Sequence, residues 1–406
     1  MKSSDRKTFI GILLLGAVVA TLYFSFVFFE SPEHTFARYA DEIIKTCSDA
    51  SYVPSCYDAE IPKLMDRGIS MEDAFHVTAL IQAKDSRYWY CHVLGHELSA
   101  REAAKDLSRW DDVVARCPVG QCSNGCMHGA FQERFRDDLL PEEEIEKLIP
   151  KISNVCDSSD RRTFTHLERA SCYHGLGHLM MYITQANIEQ SVSLCDRVVR
   201  EDDAVDFAHI CYDGSFMQIF QPLEPEDFAL VKDIAPETKE EAKAFCRQFS
   251  GEQYDSCHQE SWPLFLDDIK GSGGTAAFCS EANQNDRQFC YNAIFNILLV
   301  QFQLNKEQMI PICNEQDEPY YSQCFANVAS RLLEIDKGLI PESISYCTLA
   351  EERGVGDRCW QELLYYSWAD FEKDSKDFKT LCSLMPSPWQ ERCFSGEGAS
   401  VKIREL

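Results

Sequence analysis

The chain has 406 residues, of which 45% are hydrophobic and 12% aromatic, and its formal net charge is −27. This apolar content excludes an intrinsically disordered chain. The excess of acidic side chains argues against binding to nucleic acid or to anionic membrane surfaces, because both attract clustered lysine and arginine.

The N-terminus carries the first predicted element. Lys2, Arg6 and Lys7 precede an uncharged, mostly apolar run that is long enough to span a bilayer and lacks a signal-peptidase-like site. Basic residues stay on the cytoplasmic side, so we expect the rest of the chain to be extracytoplasmic, in a periplasm or on a cell surface. Cleavage just after the span is the alternative. The predicted segments are a cytoplasmic N-terminus at 1–7, a transmembrane signal anchor at 8–29 and a linker at 30–45.

Twenty cysteines follow, and in the C-terminal half corresponding cysteines recur every 33 to 35 residues. An extracytoplasmic, oxidising compartment favours disulfides over thiols or metal sites. Most cysteines form local pairs by spacing, and the two left over, Cys91 and Cys122, can pair with each other. The predicted local pairs are Cys47/Cys56, Cys117/Cys126, Cys156/Cys172, Cys195/Cys211, Cys246/Cys257, Cys279/Cys290, Cys313/Cys324, Cys347/Cys359 and Cys382/Cys393.

Each cysteine pair lies in the same local pattern. A short helix with a capping residue precedes the first cysteine, as in TKEEAKAFC, and a longer apolar helix follows the second, as in CFANVASRLLEI. A period of this length built from helix pairs is typical of an α-solenoid. The sequence therefore predicts an all-α fold, a superhelix of about ten disulfide-clamped helical hairpins. Its predicted parts are histidine-bearing repeats at 46–230 and C-terminal repeats at 231–406.

The chain resembles the cysteine-rich Sel1-like repeat proteins, which are related to tetratricopeptide repeats. The local match is Cys91-His-Val-Leu94-Gly95-His-Glu-Leu98, close to that family's Cys-x-x-Leu-Gly-x-Leu repeat start; elsewhere the match is one of period and cysteine placement over residues 47–393. The resemblance implies α/α hairpins that are each tied by one disulfide, secretion or an oxidising compartment, and a role in binding.

Histidines recur after the second cysteine of the N-terminal repeats. When these repeats are aligned, the leading polar position holds His92, His128, His174 and Asp213. The position four residues later holds His96, Gln132, His178 and Met217. Positions four apart share one helix face, and imidazoles so placed can clamp a transition metal. The predicted metal ligands are His92, His96, His128, His174, His178 and Asp213.

The sequence thus predicts a membrane-anchored, extracytoplasmic repeat protein that binds a transition metal, Zn, Cu or Fe. Glu97 is placed as a general base or a further ligand, with Glu133 as second choice. The histidines could instead only pack the repeats, and the protein would then be a solenoid scaffold that binds a protein or peptide. Three further hypotheses are a zinc site of Cys117, Cys122, Cys126 and His128, supporting roles for His166 and His209, and copper binding near Met127, Met180, Met181 and Met217.

Overall fold

The protein is described by a computed structural model that covers residues 32–118, 121–122, 125–135, 140–158, 164, 166–199, 207–223, 225–284, 287–371 and 373–399. Every regular element in these ranges is helical, so the predicted all-α class is confirmed. The chain forms two compact units, and the division falls between Tyr88 and Trp89. The predicted change of repeat type at 230/231 lies within the second unit.

The described part of the first unit contains α1 (Pro32–Cys47), α2 (Val53–Glu60), α3 (Lys63–Asp66) and α4 (Met71–Lys84). Most of the segment predicted as a linker, 30–45, therefore belongs to a helix. The buried residues Ala40, Ile43 and Cys47 are three and four positions apart, which places them on one face of α1. Helix α1 packs against α4, and an apolar face as sparse as this one is a weak helix signal in the sequence.

The predicted transmembrane span at 8–29 lies outside the described residues. Within the ranges that the structure does describe, no helix has both the length and the apolar character needed to cross a bilayer.

The second unit is a series of helical hairpins. Its first helices are α5 (His92–Ala103), α6 (Trp110–Arg116), α7 (Gly125–Phe135), α8 (Glu142–Val155), α9 (His166–Ile183), α10 (Ile188–Val198), α11 (Phe207–Phe220) and α12 (Pro225–Val231). They are followed by α13 (Lys239–Cys246), α14 (Glu252–Glu260), α15 (Trp262–Ile269), α16 (Gly274–Cys279), α17 (Arg287–Gln301) and α18 (Lys306–Asn314). The last are α19 (Tyr320–Ile335), α20 (Ile340–Glu352), α21 (Gly356–Ala369), α22 (Lys376–Leu384) and α23 (Trp389–Ser395).

The helix starts predicted before the first cysteine of a repeat are confirmed. Thr238 caps α13 and forms a reciprocal capping box with Glu241. Asn187 and Asn305 cap α10 and α18 by accepting hydrogen bonds from backbone N–H groups of the first turn. These caps satisfy N–H groups that have no partner within the helix, so they fix where each short helix begins.

All ten predicted disulfides are present, including Cys91–Cys122. Within the described part of the chain no cysteine is free. The hypothesis of a zinc site with three cysteines and His128 is therefore wrong, because Cys117, Cys122 and Cys126 are all oxidised. A disulfide across a loop of this size stabilises a repeat by about 3 kcal/mol, mainly by restricting the unfolded chain.

The second helix of each hairpin packs against the second helices of the repeats before and after it. These helices form one continuous layer within the second unit, in the order α5, α7, α9, α11, α14, α17, α19, α21, α23. Stacking in chain order is the arrangement expected for a solenoid, where each repeat buries its apolar face on its neighbours. The layer brings the histidines of α5, α7 and α9 side by side.

Candidate metal centre

Five histidines lie on three adjacent helices of this layer. Helix α5 carries His92 and His96, α7 carries His128, and α9 carries His174 and His178. His92, His96 and His128 are only 6–8% exposed. His174 and His178 are partly buried. A buried polar side chain has to be satisfied by hydrogen bonds or by a bound ion, so the contacts of these rings determine what the cluster can do.

Two helix-adjacent pairs have nearly the same geometry. The Nε2 atoms of His92 and His96 are 3.2 Å apart, and those of His174 and His178 are 3.3 Å apart. His128 lies between the pairs: its ring centroid is 5.2 and 5.3 Å from those of His92 and His96. Ring nitrogens of His92, His96 and His128 all lie within 4.8 Å of one another. The structure therefore brings three imidazoles from two repeats to one point.

Glycines beside the histidines allow this close approach. A Cβ atom on Gly129 of α7 would lie 2.1 Å from the carbonyl oxygen of His96. A Cβ on Gly214 of α11 would lie 2.0 Å from the carbonyl oxygen of His174. No real side chain tolerates such distances, so only glycine lets α5 meet α7 and α9 meet α11 at this spacing. The repeated His-Gly and Asp-Gly pairs in the sequence reflect this requirement.

Backbone carbonyls orient two of the three central rings. His92 Nδ1 donates to the carbonyl of Cys122 at 3.3 Å, and His128 Nε2 donates to the carbonyl of Ser171 at 3.3 Å. Each of these rings therefore keeps an unprotonated nitrogen on its other side. In His128 that nitrogen, Nδ1, is buried and has no hydrogen-bond partner. Imidazoles that bind metals are usually held in the same way: one ring nitrogen donates a hydrogen bond to a carbonyl or carboxylate, and the lone pair of the other nitrogen is left for the metal.

The environment of four of the five histidines favours the uncharged imidazole. Burial, together with the neighbouring imidazoles, holds the pKa of His96, His128 and His174 well below the usual imidazole value. Burial also lowers the pKa of His178, while its hydrogen bond with Gln218 acts in the opposite direction. A metal binds only the neutral imidazole, so the lowered pKa of these four histidines favours the metal-binding form at neutral pH.

A cavity of about 20 Å³ adjoins the central histidines and is lined by His92, His96, His128 and His178. A water molecule needs roughly 10–15 Å³ of such space. The cavity therefore has room for one water molecule or one metal ion. A second space, a cleft of about 360 Å³, borders the same cluster. Its walls include His92, His128 and His174 on one side and Arg331, Glu334 and Asp370 from the C-terminal repeats on the other.

In the triad of His92, His96 and His128, the spacing of the first two histidines matches one edge of a tetrahedral metal site. Zinc binds imidazole nitrogen at about 2.0–2.1 Å, which places two ligands of a tetrahedron roughly 3.4 Å apart. The separation of 3.2 Å between the Nε2 atoms of His92 and His96 is close to that value. A ring nitrogen of His128 lies within 4.8 Å of those of His92 and His96. These residues could therefore hold one ion with three nitrogen ligands and a fourth position open.

Two other residues predicted for the site, Asp213 and Glu97, lie outside the triad of His92, His96 and His128. Asp213 lies on α11, where its carboxylate is 3.6 Å from His209, and it does not join the triad. Glu97 is half exposed and pairs with Arg101 at 2.5 Å, on the outer part of α5. Its predicted role as a general base stays a prediction, as do the metal-binding roles of His174 and His178. The side chain of His166 lies outside what the structure describes.

Several groups around the site have no signal in the sequence. The carbonyls of Cys122 and Ser171, which accept hydrogen bonds from His92 and His128, are backbone groups, so no pattern of side chains in the sequence predicts these contacts. Gln218, which accepts from His178 Nδ1 at 2.6 Å, follows the aligned position of Met217 by one residue. Glu260 is also absent from every sequence motif considered above. Burial and the neighbouring carboxylate of Asp213 raise the pKa of Glu260 to about 8.

Comparisons with protein-family models, with curated proteins and with solved structures find no match for this chain. The resemblance to Sel1-like repeats is accordingly supported only by the helical hairpins and their paired cysteines. The function of the site therefore has to be inferred from its own geometry.

Metal-free protein is expected to lose stability as the pH falls below about 6.5. The folded state resists protonation of His96 while the unfolded chain accepts it, so unfolding takes up protons and stability falls with falling pH. Each such histidine contributes a slope of about 1.4 kcal/mol per pH unit between its unfolded and folded pKa. Denaturant unfolding in the presence of a chelator, from pH 8 to 5, should show a shallower decline for His96→Gln than for the parent protein.

The comparison with His96→Gln isolates the histidine contribution. Carboxyl groups whose pKa is raised, such as Glu260, act with the opposite sign, but they are present in both proteins and cancel. Parallel pH profiles for the two proteins would show that His96 does not titrate differently in the folded and unfolded states.

Proposed function

We propose that this protein binds one transition-metal ion through His92, His96 and His128. The proposal rests on the buried Nδ1 of His128, which has no hydrogen-bond partner. In addition, a ring nitrogen of His128 lies within 4.8 Å of ring nitrogens of His92 and His96. A buried polar atom without a partner costs about 1–3 kcal/mol. A bound ion would satisfy it.

The donor set favours particular metals. Three neutral imidazoles suit Zn²⁺ or copper, whereas Mg²⁺, Ca²⁺ and the common non-haem iron sites use carboxylate oxygens. No carboxylate in the described residues joins the triad. Zinc with three protein nitrogens keeps a fourth position for water or substrate, which is the arrangement of catalytic rather than structural zinc. We therefore rank zinc first, copper second and iron third.

The disulfides and the N-terminal sequence support an extracytoplasmic, membrane-anchored location for the protein. Ten disulfides indicate an oxidising, extracytoplasmic compartment. The apolar run at 8–29 behind three basic residues supports anchoring to a membrane, with the bulk of the chain in a periplasm or on a cell surface. The cystine-tied hairpins support a Sel1-like repeat. In this proposal the repeats form a rigid frame that holds the metal ion next to the cleft.

A scaffold that binds a protein or peptide without a metal is the second candidate. The cleft of about 360 Å³ beside Arg331 and Glu334 is the feature that favours it. On that alternative the histidines only pack the helices, and their substitution would weaken the fold without affecting any metal.

Zinc titration of the full-length, oxidised protein against a competing chelator tests the proposal. We expect tight binding in the parent protein and a loss of roughly 100-fold or more in affinity for His96→Gln, since a ligand is removed from the ion. His76→Gln is the matched control, because His76 lies in the first unit and its side chain is 42% exposed. Equal affinities for the three proteins, or no binding by the parent, would contradict the proposal.

A further inference from the structure

His174 and His178 form a second pair with the geometry of the first. Their Nε2 atoms are 3.3 Å apart, against 3.2 Å for His92 and His96. Both pairs are four residues apart on one helix face, and that spacing points two imidazoles at a common position. We infer that a second transition-metal ion binds between His174 and His178, next to the proposed ion of the triad.

One ring of the second pair is already oriented for a ligand. His178 Nδ1 donates to Gln218 Oε1 at 2.6 Å, so its Nε2 carries the lone pair. Gln218 is 3% exposed and is fixed on α11, the helix that packs closely on α9. A short hydrogen bond to the oxygen of this buried amide holds the ring in place before any ion binds. The first pair has the corresponding support in the carbonyl of Cys122.

His128 stands between the two positions and decides their relative strength. Its ring centroid is 5.6 and 5.4 Å from those of His174 and His178, slightly farther than from the first pair. Its Nε2 is engaged with the Ser171 carbonyl, so only Nδ1 is free. One free nitrogen completes one site, and the tighter triad takes it. The second ion then has two protein ligands and binds more weakly.

The second position is open towards the cleft. His174 lines the space of about 360 Å³, and Met217 and Arg331 are among the other lining residues. An ion with two imidazole ligands keeps its remaining coordination positions for water or for a molecule in that cleft. This inference extends the proposed function, because it gives the site two neighbouring ions of unequal affinity.

Isothermal titration of the metal-free, full-length protein with Zn²⁺ tests the inference. We expect two binding events per chain, with the second at least ten-fold weaker than the first. His174→Gln should abolish only the weaker event, and His96→Gln should reduce the tighter one while the weaker remains. His76→Gln should leave both unchanged, because its imidazole is remote from the cluster in sequence and exposed.

The outcomes separate this inference from the proposed function. A single event that survives His174→Gln would overturn the second site and leave the triad standing, whereas no event in the parent protein would overturn both. If His174→Gln fails to form its disulfides, His178→Gln replaces it. A Co²⁺ titration of the parent protein counts the ions independently: absorption changes that stop at one equivalent would also overturn the inference.

Discussion

Replacing Gly129 with alanine is expected to destabilise the protein by about 3 kcal/mol or more and to weaken zinc binding by roughly 100-fold. The added Cβ would lie 2.1 Å from the carbonyl oxygen of His96 and 2.4 Å from Ser99 Oγ. The backbone of α5 cannot yield as a flexible side chain would, so α5 and α7 must move apart. That movement takes His96 on α5 away from His128 on α7.

Gly338→Ala is the matched control for this substitution. The nearest atoms to a Cβ on Gly338 would be those of the Asp336 carboxylate, at 3.2 to 3.4 Å. This carboxylate accepts a hydrogen bond from the Gly338 N–H at 2.7 Å, and a shift of a few tenths of an ångström relieves the contact while keeping that bond within hydrogen-bond range. Unfolding by denaturant and zinc titration of both variants give the comparison. We expect Gly338→Ala to resemble the parent protein in both measurements. A Gly129→Ala variant with the parent's stability and zinc affinity would show that the close approach of α5 and α7 is not needed for the site.

Replacing His128 with leucine should abolish tight zinc binding while leaving the metal-free protein at least as stable as the parent. Leucine removes the buried, unpartnered Nδ1, a relief of about 1–3 kcal/mol, and it fills a similar volume with apolar atoms. The carbonyl of Ser171 loses a donor, but it lies within α9, where its helical hydrogen bond remains. Loss of one of three ligands should weaken zinc binding by roughly 100-fold or more.

His258→Leu provides the contrast. His258 is also buried, but its Nε2 donates to the carbonyl of Phe278 at 3.0 Å and its ring stacks on that phenylalanine. We expect this variant to be destabilised and to bind zinc like the parent. Thermal unfolding of the chelator-treated proteins and zinc titration check both substitutions. A His128→Leu variant that is less stable than the parent would show that His128 serves packing.

The cysteine framework could be predicted in full from the sequence. Corresponding cysteines recur every 33 to 35 residues in the C-terminal half and at looser intervals before it. A local pair can close only if its loop is short, so spacing assigned nine pairs and left Cys91 and Cys122 for the tenth. Helix starts at Asn187, Thr238 and Asn305 were equally accessible, since a cap is a contact between neighbours in sequence. Contacts of this kind join residues that are close in the sequence, so the sequence alone predicts them.

The site could be predicted only in part. Alignment of the repeats placed His92, His96 and His128 together correctly, because equivalent positions on stacked helices face one another. The same alignment placed Asp213 in the row, but on α11 this carboxylate meets His209, four residues earlier on its own helix. A repeat alignment assumes that every helix has the same rotation about its axis. It does not record which neighbour a side chain contacts after packing.

The glycines show how packing and binding are joined at this site. In the sequence, close helix contact and metal binding compete as explanations for the His-Gly pairs. In the structure Gly129 brings α5 and α7 together, and that contact is what places His96 beside His128. The two explanations therefore describe one arrangement, in which the packing creates the binding geometry.

The most direct test of the metal centre is anomalous diffraction at the zinc absorption edge from crystals of the zinc-loaded, full-length protein. We predict a peak about 2.0–2.1 Å from a ring nitrogen of each of His92, His96 and His128, the distance expected for zinc bound to imidazole. The peak should disappear in crystals of His128→Leu grown under the same conditions. Anomalous density confined to surface carboxylates, with none at the three histidines, would contradict the assignment of this cluster as a metal site.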